Sequence, residues 1–95
     1  MTKVDVTCEE VSADTWRCEV ELTDMGAPVS RHTVRVSIAD VRRFAPGTTR
    51  PEDLVGRSFR FLLDRESPSM ILRTFELSDI GRYFPEYDRE IRRPT

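Results

Sequence analysis

The sequence predicts an α+β fold, a three-stranded antiparallel meander with a central helix and several short helices on one face. Three observations carry it. Apolar residues recur with period two from Lys3 to Val36, the period changes to 3.6 at Ser37, and one long apolar stripe of helical spacing runs from Pro51 to Arg65. A sheet with one apolar face followed by amphipathic helices closes a core by laying the helices on that face.

In the first strand Val4, Val6 and Cys8 alternate against Lys3, Asp5, Thr7 and Glu9. In the second, Trp16, Cys18, Val20 and Leu22 alternate against Arg17, Glu19 and Glu21. Folding the chain about Ser12-Ala13-Asp14 sets Glu10 opposite Trp16, Cys8 opposite Cys18, Val6 opposite Val20 and Val4 opposite Leu22, with Glu9 beside Arg17. A three-residue loop wants a left-handed residue, and Asp14 would have to serve. Asp24-Met25-Gly26-Ala27-Pro28 forms the next loop. His32, Val34 and Val36 then alternate with Arg31, Thr33 and Arg35 in a third strand, whose outer arginines face Glu19 and Glu21.

Ser37 and Asp40 stand three apart as a capping box for a short helix that buries Ile38, Val41 and Phe44 and ends at Pro46-Gly47. Thr48 to Arg50 lead into the central helix. There Pro51 suits the first helical position, Glu52 and Asp53 meet the positive end of the dipole and Arg65 the negative end. Leu54, Val55, Phe59, Leu62 and Leu63, widened by Phe61, form the buried stripe. Gly56 inside this helix costs about 1 kcal/mol against alanine and marks an expected close approach of helix to strand. Ser67 then caps a short helix from Pro68 with Met70, Ile71 and Phe75 inward. Ser78 caps a turn carrying Ile80, Tyr83 and Phe84 until Pro85.

The chain reads as one domain, 1–95, with the sheet over 3–36, the helical part over 37–84 and a tail over 85–95 whose last residues fray and which Tyr87 and Ile91 tether. The expected core is Trp16, Cys18, Val20, Val34, Val36, Phe44, Phe59, Leu62, Leu63 and Ile71. At 95 residues most apolar side chains are needed to build that core.

A net charge of −2, with 15 basic and 17 acidic side chains interspersed, lacks the basic excess of a general nucleic-acid binder. The outer sheet face also lacks the stacking aromatics of an RNA platform. Nucleic acid therefore ranks last among partners. Lys3 is the only lysine, so the basic side chains are almost all arginines, which suit carboxylate or phosphate groups. No apolar run approaches the roughly 20 residues that span a bilayer, and the N-terminus lacks the pattern of a signal peptide. A cytoplasmic protein without membrane contact is expected. In that setting Cys8 and Cys18 are read first as reduced core thiols, with a cross-strand disulfide as the alternative.

No catalytic set emerges. His32 is the sole histidine, on the inner face by parity, and is read as a packed side chain, with acid-base work as the minority role. The four glycines are isolated and give no phosphate loop, and no metal-ligand spacing appears, so no catalytic residue, metal or cofactor is assigned. The densest mixture of rings, arginines and carboxylates is the segment from Arg73 to Tyr87. Such a mixture suits a protein interface, with Arg73, Arg82, Tyr83, Glu86 and Tyr87 as the candidate binding residues. A non-enzymatic interaction or regulatory module is the leading reading. The alternative is a binder of a small anionic ligand, or a minor enzyme, using Arg73, Arg82 and Tyr83 with His32. An open edge strand would also let two copies pair as a homodimer.

The stretch SFRFLLDRESPSMILRTFELSDIGRYFPEYDREI, with HTVRVS upstream, resembles a family of small stand-alone bacterial proteins to which no function is assigned. The likeness covers Arg31 to Arg92 and is most specific in FLLDRE, ILRTFELSDI and RYFPEY. It implies a complete short bacterial protein and supplies no activity, cofactor or site residue.

Overall fold

In a computed structural model, which describes residues 2–47 and 50–93, the chain runs β1 (Thr2–Ser12), β2 (Thr15–Asp24), β3 (Ala27–Ser37), α1 (Ile38–Phe44), α2 (Pro51–Leu63), β4 (Thr74–Glu76), α3 (Ile80–Tyr83) and α4 (Tyr87–Ile91). Short 3-10 turns at Pro68–Met70 and Leu77–Asp79 flank β4. The expected lead-in at Thr48 and Thr49 and the fraying end at Pro94 and Thr95 lie outside the described residues.

The α+β class holds, but the sheet has four strands and is mixed, in the order β1-β2-β3-β4, not a three-stranded antiparallel meander. β4 lies parallel to β3, with Thr33 opposite Thr74, Val34 opposite Phe75 and Arg35 opposite Glu76. Its three residues are too few to display a period, and Phe75, read as the end of a helix, instead points its ring into the core from this strand. The helix expected from Pro68 shrinks accordingly to one 3-10 turn, and Met70 stands in solvent.

The first hairpin has the expected register, Cys8 opposite Cys18 and Val6 opposite Val20 included. Its turn is tighter than expected. Ser12 pairs with Thr15, a bulge at Val11 absorbs the extra residue, and Asp14 binds the Ser12 and Thr15 hydroxyls, each at 3.1 Å. In the hairpins the left-handed positions fall instead at Met25 (φ 53°) and Gly26 (φ 80°), which make the two-residue β2–β3 turn. On the outer face Arg17 pairs with Glu9, and Arg31 with Glu21 at 2.9 Å.

Cys8 and Cys18 are joined by a disulfide, so the reading as reduced thiols gives way to its alternative. A direct cross-strand pair whose side chains share one face brings the two sulfurs together without backbone movement.

α2 lies on the inner face of the sheet, nearest β1 and β2, with Cys18, Val20, Leu22, Val34, Val36, Leu54, Val55, Phe59 and Leu62 buried. Trp16 and Leu63, expected in the core, are only half-buried at its margin. The Ser37–Asp40 capping box forms, both bonds at 3.0 Å. Gly56 contradicts its expected role, since a Cβ placed there would meet nothing within 4 Å. The tail is better anchored than its charged composition suggests. Tyr87 and Ile91 of α4 are buried, and Arg57 donates to the Ile91 and Arg93 carbonyls at 2.6 and 2.8 Å. No helix is long and apolar enough among the described residues to cross a membrane.

Candidate interaction surface

The segment after α2 is fastened to β3 through the carbonyls of Leu72 and Arg73. The amide of Thr33 donates to the Arg73 carbonyl at 2.7 Å, and the His32 ring binds the Leu72 carbonyl, also at 2.7 Å. Ile71, Phe75, Leu77 and Ile80 turn inward, and the Phe59 and Phe75 rings lie 6.0 Å apart. At the next turn, Leu77–Asp79, the cap position falls on Glu76 and not on the expected Ser78, and the Glu76 amide donates to Asp79 at 3.2 Å.

Fixing those residues inward forces their neighbours outward. Leu72 is 53% exposed, Tyr83 67% and Met70 66%, a group of large apolar side chains that the core leaves in water. Leu72 and Tyr83 border a crease floored by Leu62, Ile71, Phe75, Ile80 and Phe84, with Glu66 and Asp79 as its carboxylates. Its free space is about 40 Å³, room for the tip of one side chain and well below the ~300–1,000 Å³ of a small-molecule pocket.

Of the candidate binding residues, Tyr83 lines this crease. Arg82 projects beside it, 3.6 Å from Asp79, and Arg73 is exposed on the bend just before β4. Glu86 pairs with Arg65 at 3.1 Å, and its carboxyl is held below the usual range, first by a backbone hydrogen bond and then by Arg65. Arg65 itself covers the Phe61 ring at 3.7 Å. Tyr87 is fully buried. Its hydroxyl meets Ser58 Oγ at 2.7 Å, Ser58 donates onward to the Leu54 carbonyl at 2.7 Å, and burial pushes the phenol far above its ordinary value. Tyr87 is thus a core residue, and the Arg73–Tyr87 segment divides into an outer part around Tyr83 and an inner part around Tyr87.

The residues of the anionic-ligand alternative do not surround one cavity. His32 is buried between Ser30 and the Leu72 carbonyl, and neither it nor Arg73 or Arg82 lines the crease. Among the described residues no group of three or more His, Cys, Asp or Glu side chains is placed to hold a metal ion. The sequence reading missed Leu72, Met70 and Glu66. The available signal was Met70 and Leu72 flanking Ile71, three large apolar residues in a row of which a short turn can bury only the middle one.

Comparison with protein-family models, with curated proteins and with solved structures finds no match to this chain. The resemblance over Arg31 to Arg92 stays an expectation, and the functional reading rests on geometry.

Proposed function

We propose that the protein is a non-enzymatic interaction module that docks a peptide segment on the surface formed by Leu72, Tyr83 and the crease between them. The observation that carries this reading is the exposure of Leu72 and Tyr83 beside an apolar crease whose charged groups are the carboxylates of Glu66 and Asp79. An amphipathic ring such as Tyr83 supplies contact area at small conformational cost, and apolar groups rimmed by charge are a usual form of binding site. The complementary segment carries one apolar anchor next to a lysine or arginine. Carboxylates in the crease disfavour an anionic ligand, which sets the small-ligand alternative behind this one.

Selection from a random peptide display library tests the proposal. Enriched peptides are expected to converge on an apolar residue flanked by basic ones, to lose binding to Tyr83→Ala, and to change their charge preference on Glu66→Lys. Both variants should unfold at the wild-type midpoint. A selection without consensus, or peptides that bind both variants as well as wild type, would overturn it.

A further inference from the structure

β1 is the outer strand of the sheet, eleven residues long with no proline, and its far edge is unpaired among the described residues. Natural edges of that length are ordinarily blunted. Its inner residues Val4, Val6 and Cys8 are only half-covered, whereas Cys18, Val20 and Leu22 of β2 and His32, Val34 and Val36 of β3 are buried. Val4 and Val6 form one wall of an open cleft, and Glu52, Gly56 and Arg60 of α2 form the other.

We infer that this edge is a dimer interface, in which β1 pairs antiparallel with β1 of a second copy about a two-fold axis passing through Val6. Charge selects that register. Centred on Val6, the pairing sets Lys3 opposite Glu9 of the other copy and Asp5 opposite Thr7, while Val4 meets Cys8 and Val6 meets itself on the inner face. A shift of the axis by one residue toward the N-terminus would set Asp5 against Asp5, and one toward the C-terminus would set Asp5 against Glu9; like charges directly opposite are destabilising. Half-residue shifts would pair inner with outer side chains.

The helix layer obeys the same axis. A two-fold normal to the sheet reverses any element lying on it, so α2 of each copy would run antiparallel to the other. Glu52 and Arg60 lie symmetrically about Gly56, and the reversal brings Glu52 of one copy to Arg60 of its mate, with the two Gly56 positions at the closest approach. This accounts for a glycine that the single chain does not explain. It weakens the helix by about 1 kcal/mol, yet its missing side chain makes room for nothing within its own chain.

Sedimentation equilibrium of the oxidised protein tests the interface. Wild type should show twice the 11.0 kDa chain mass. Lys3→Glu, which sets a carboxylate against Glu9 of the other copy, and Gly56→Leu, which fills the approach from a position where a Cβ meets nothing of its own chain within 4 Å, should each weaken the dimer by about tenfold or more while leaving the circular dichroism spectrum intact. Arg60→Glu should weaken it likewise, and Glu52→Arg combined with Arg60→Glu should restore it, since residues eight apart on a helix do not meet within one chain. A wild-type mass of 11.0 kDa throughout the concentration range, a dimer indifferent to these changes, or a β1 edge filled only by a different protein would overturn the inference. The Leu72–Tyr83 surface lies outside this interface, so peptide docking can fail or succeed independently.

Discussion

The Nδ1 atom of His32 lies 2.7 Å from the carbonyl oxygen of Leu72, while its Nε2 lies 2.9 Å from Ser30 Oγ. A carbonyl only accepts, so Nδ1 carries the proton and donates, and in the neutral ring Nε2 then accepts from the serine hydroxyl. The one histidine of the chain therefore serves as a bracket between β3 and the segment that presents Leu72.

Replacing that bracket should be costly and local. His32→Ala leaves the part-buried Leu72 carbonyl without its partner and opens space against Phe59, whose ring lies 5.3 Å away, for a loss of about 3 kcal/mol. Urea unfolding reads the loss. Hydrogen exchange at the Thr33 amide, which holds the Arg73 carbonyl, should accelerate more than exchange in β1. Uniform acceleration would mean that the ring acts only as packing.

The chain from Tyr87 through Ser58 to Leu54 predicts an asymmetry. Because Ser58 donates to the Leu54 carbonyl, its Oγ accepts from the Tyr87 hydroxyl. Tyr87→Phe removes one bond and leaves Ser58 its carbonyl acceptor, costing about 1 kcal/mol, whereas Ser58→Ala leaves a buried phenol without a partner, at about 1–3 kcal/mol. The double variant should be no worse than Ser58→Ala. Additive losses in a double-mutant cycle would show that the two hydroxyls are uncoupled.

The same phenol makes stability depend on alkaline pH. Burial raises its pKa above the ordinary 10.0, so the folded state holds this proton more tightly than the unfolded state. The associated stability is fully present below pH 10.0 and is lost as the pH climbs toward the folded value. Denaturation midpoints across that range should fall more steeply for wild type than for Tyr87→Phe; parallel curves would refute the assignment.

Acid acts with the opposite sign on the α4 side. Glu86 is held low by a backbone hydrogen bond and then Arg65, and Asp88 by Arg43 ahead of Arg92. Depressed carboxyls support the fold above their unfolded values and lose that support as pH falls through the folded ones. Glu86→Gln and Asp88→Asn should flatten the acid limb of the stability curve, and high salt should do so in part. Unchanged acid limbs would leave these pairs without energetic weight.

Reduction tests the Cys8–Cys18 bond. The loop it closes spans a separation of 10 residues, for which chain entropy gives about 3 kcal/mol. Reductant should lower the unfolding midpoint by a corresponding amount, and mass measurement after alkylation without reductant should show no modified thiol. Two alkylated cysteines in the native, unreduced protein would contradict the bond.

Much of this architecture was readable because it is local. The β1–β2 register follows from alternation and a short turn, and the Ser37–Asp40 box and the Pro51 helix start are written within a few residues of themselves. What escaped was non-local or very short. β4 exists only because Phe75 finds Val34 across the sheet, and Thr-Phe-Glu carries no period of its own. Tyr87 and Tyr83 are four residues apart and chemically identical, yet one is core and the other surface, a choice made by Ser58 on a different helix. The state of the cysteines depends on their surroundings, which alternation does not encode.

The parallel placement of β4 has a consequence for how the chain matures during synthesis. β1, β2 and β3 are contiguous, so the meander can form as soon as Ser37 has been made. β4 must wait for residues 38–73, and until it arrives the outer edge of β3 lacks its neighbour. Leu72 and Tyr83 are thus placed only after both α1 and α2 have been made. A ribosome stalled before Glu76 would hold a hairpin array with a bare apolar side, and the docking surface would not yet exist on it.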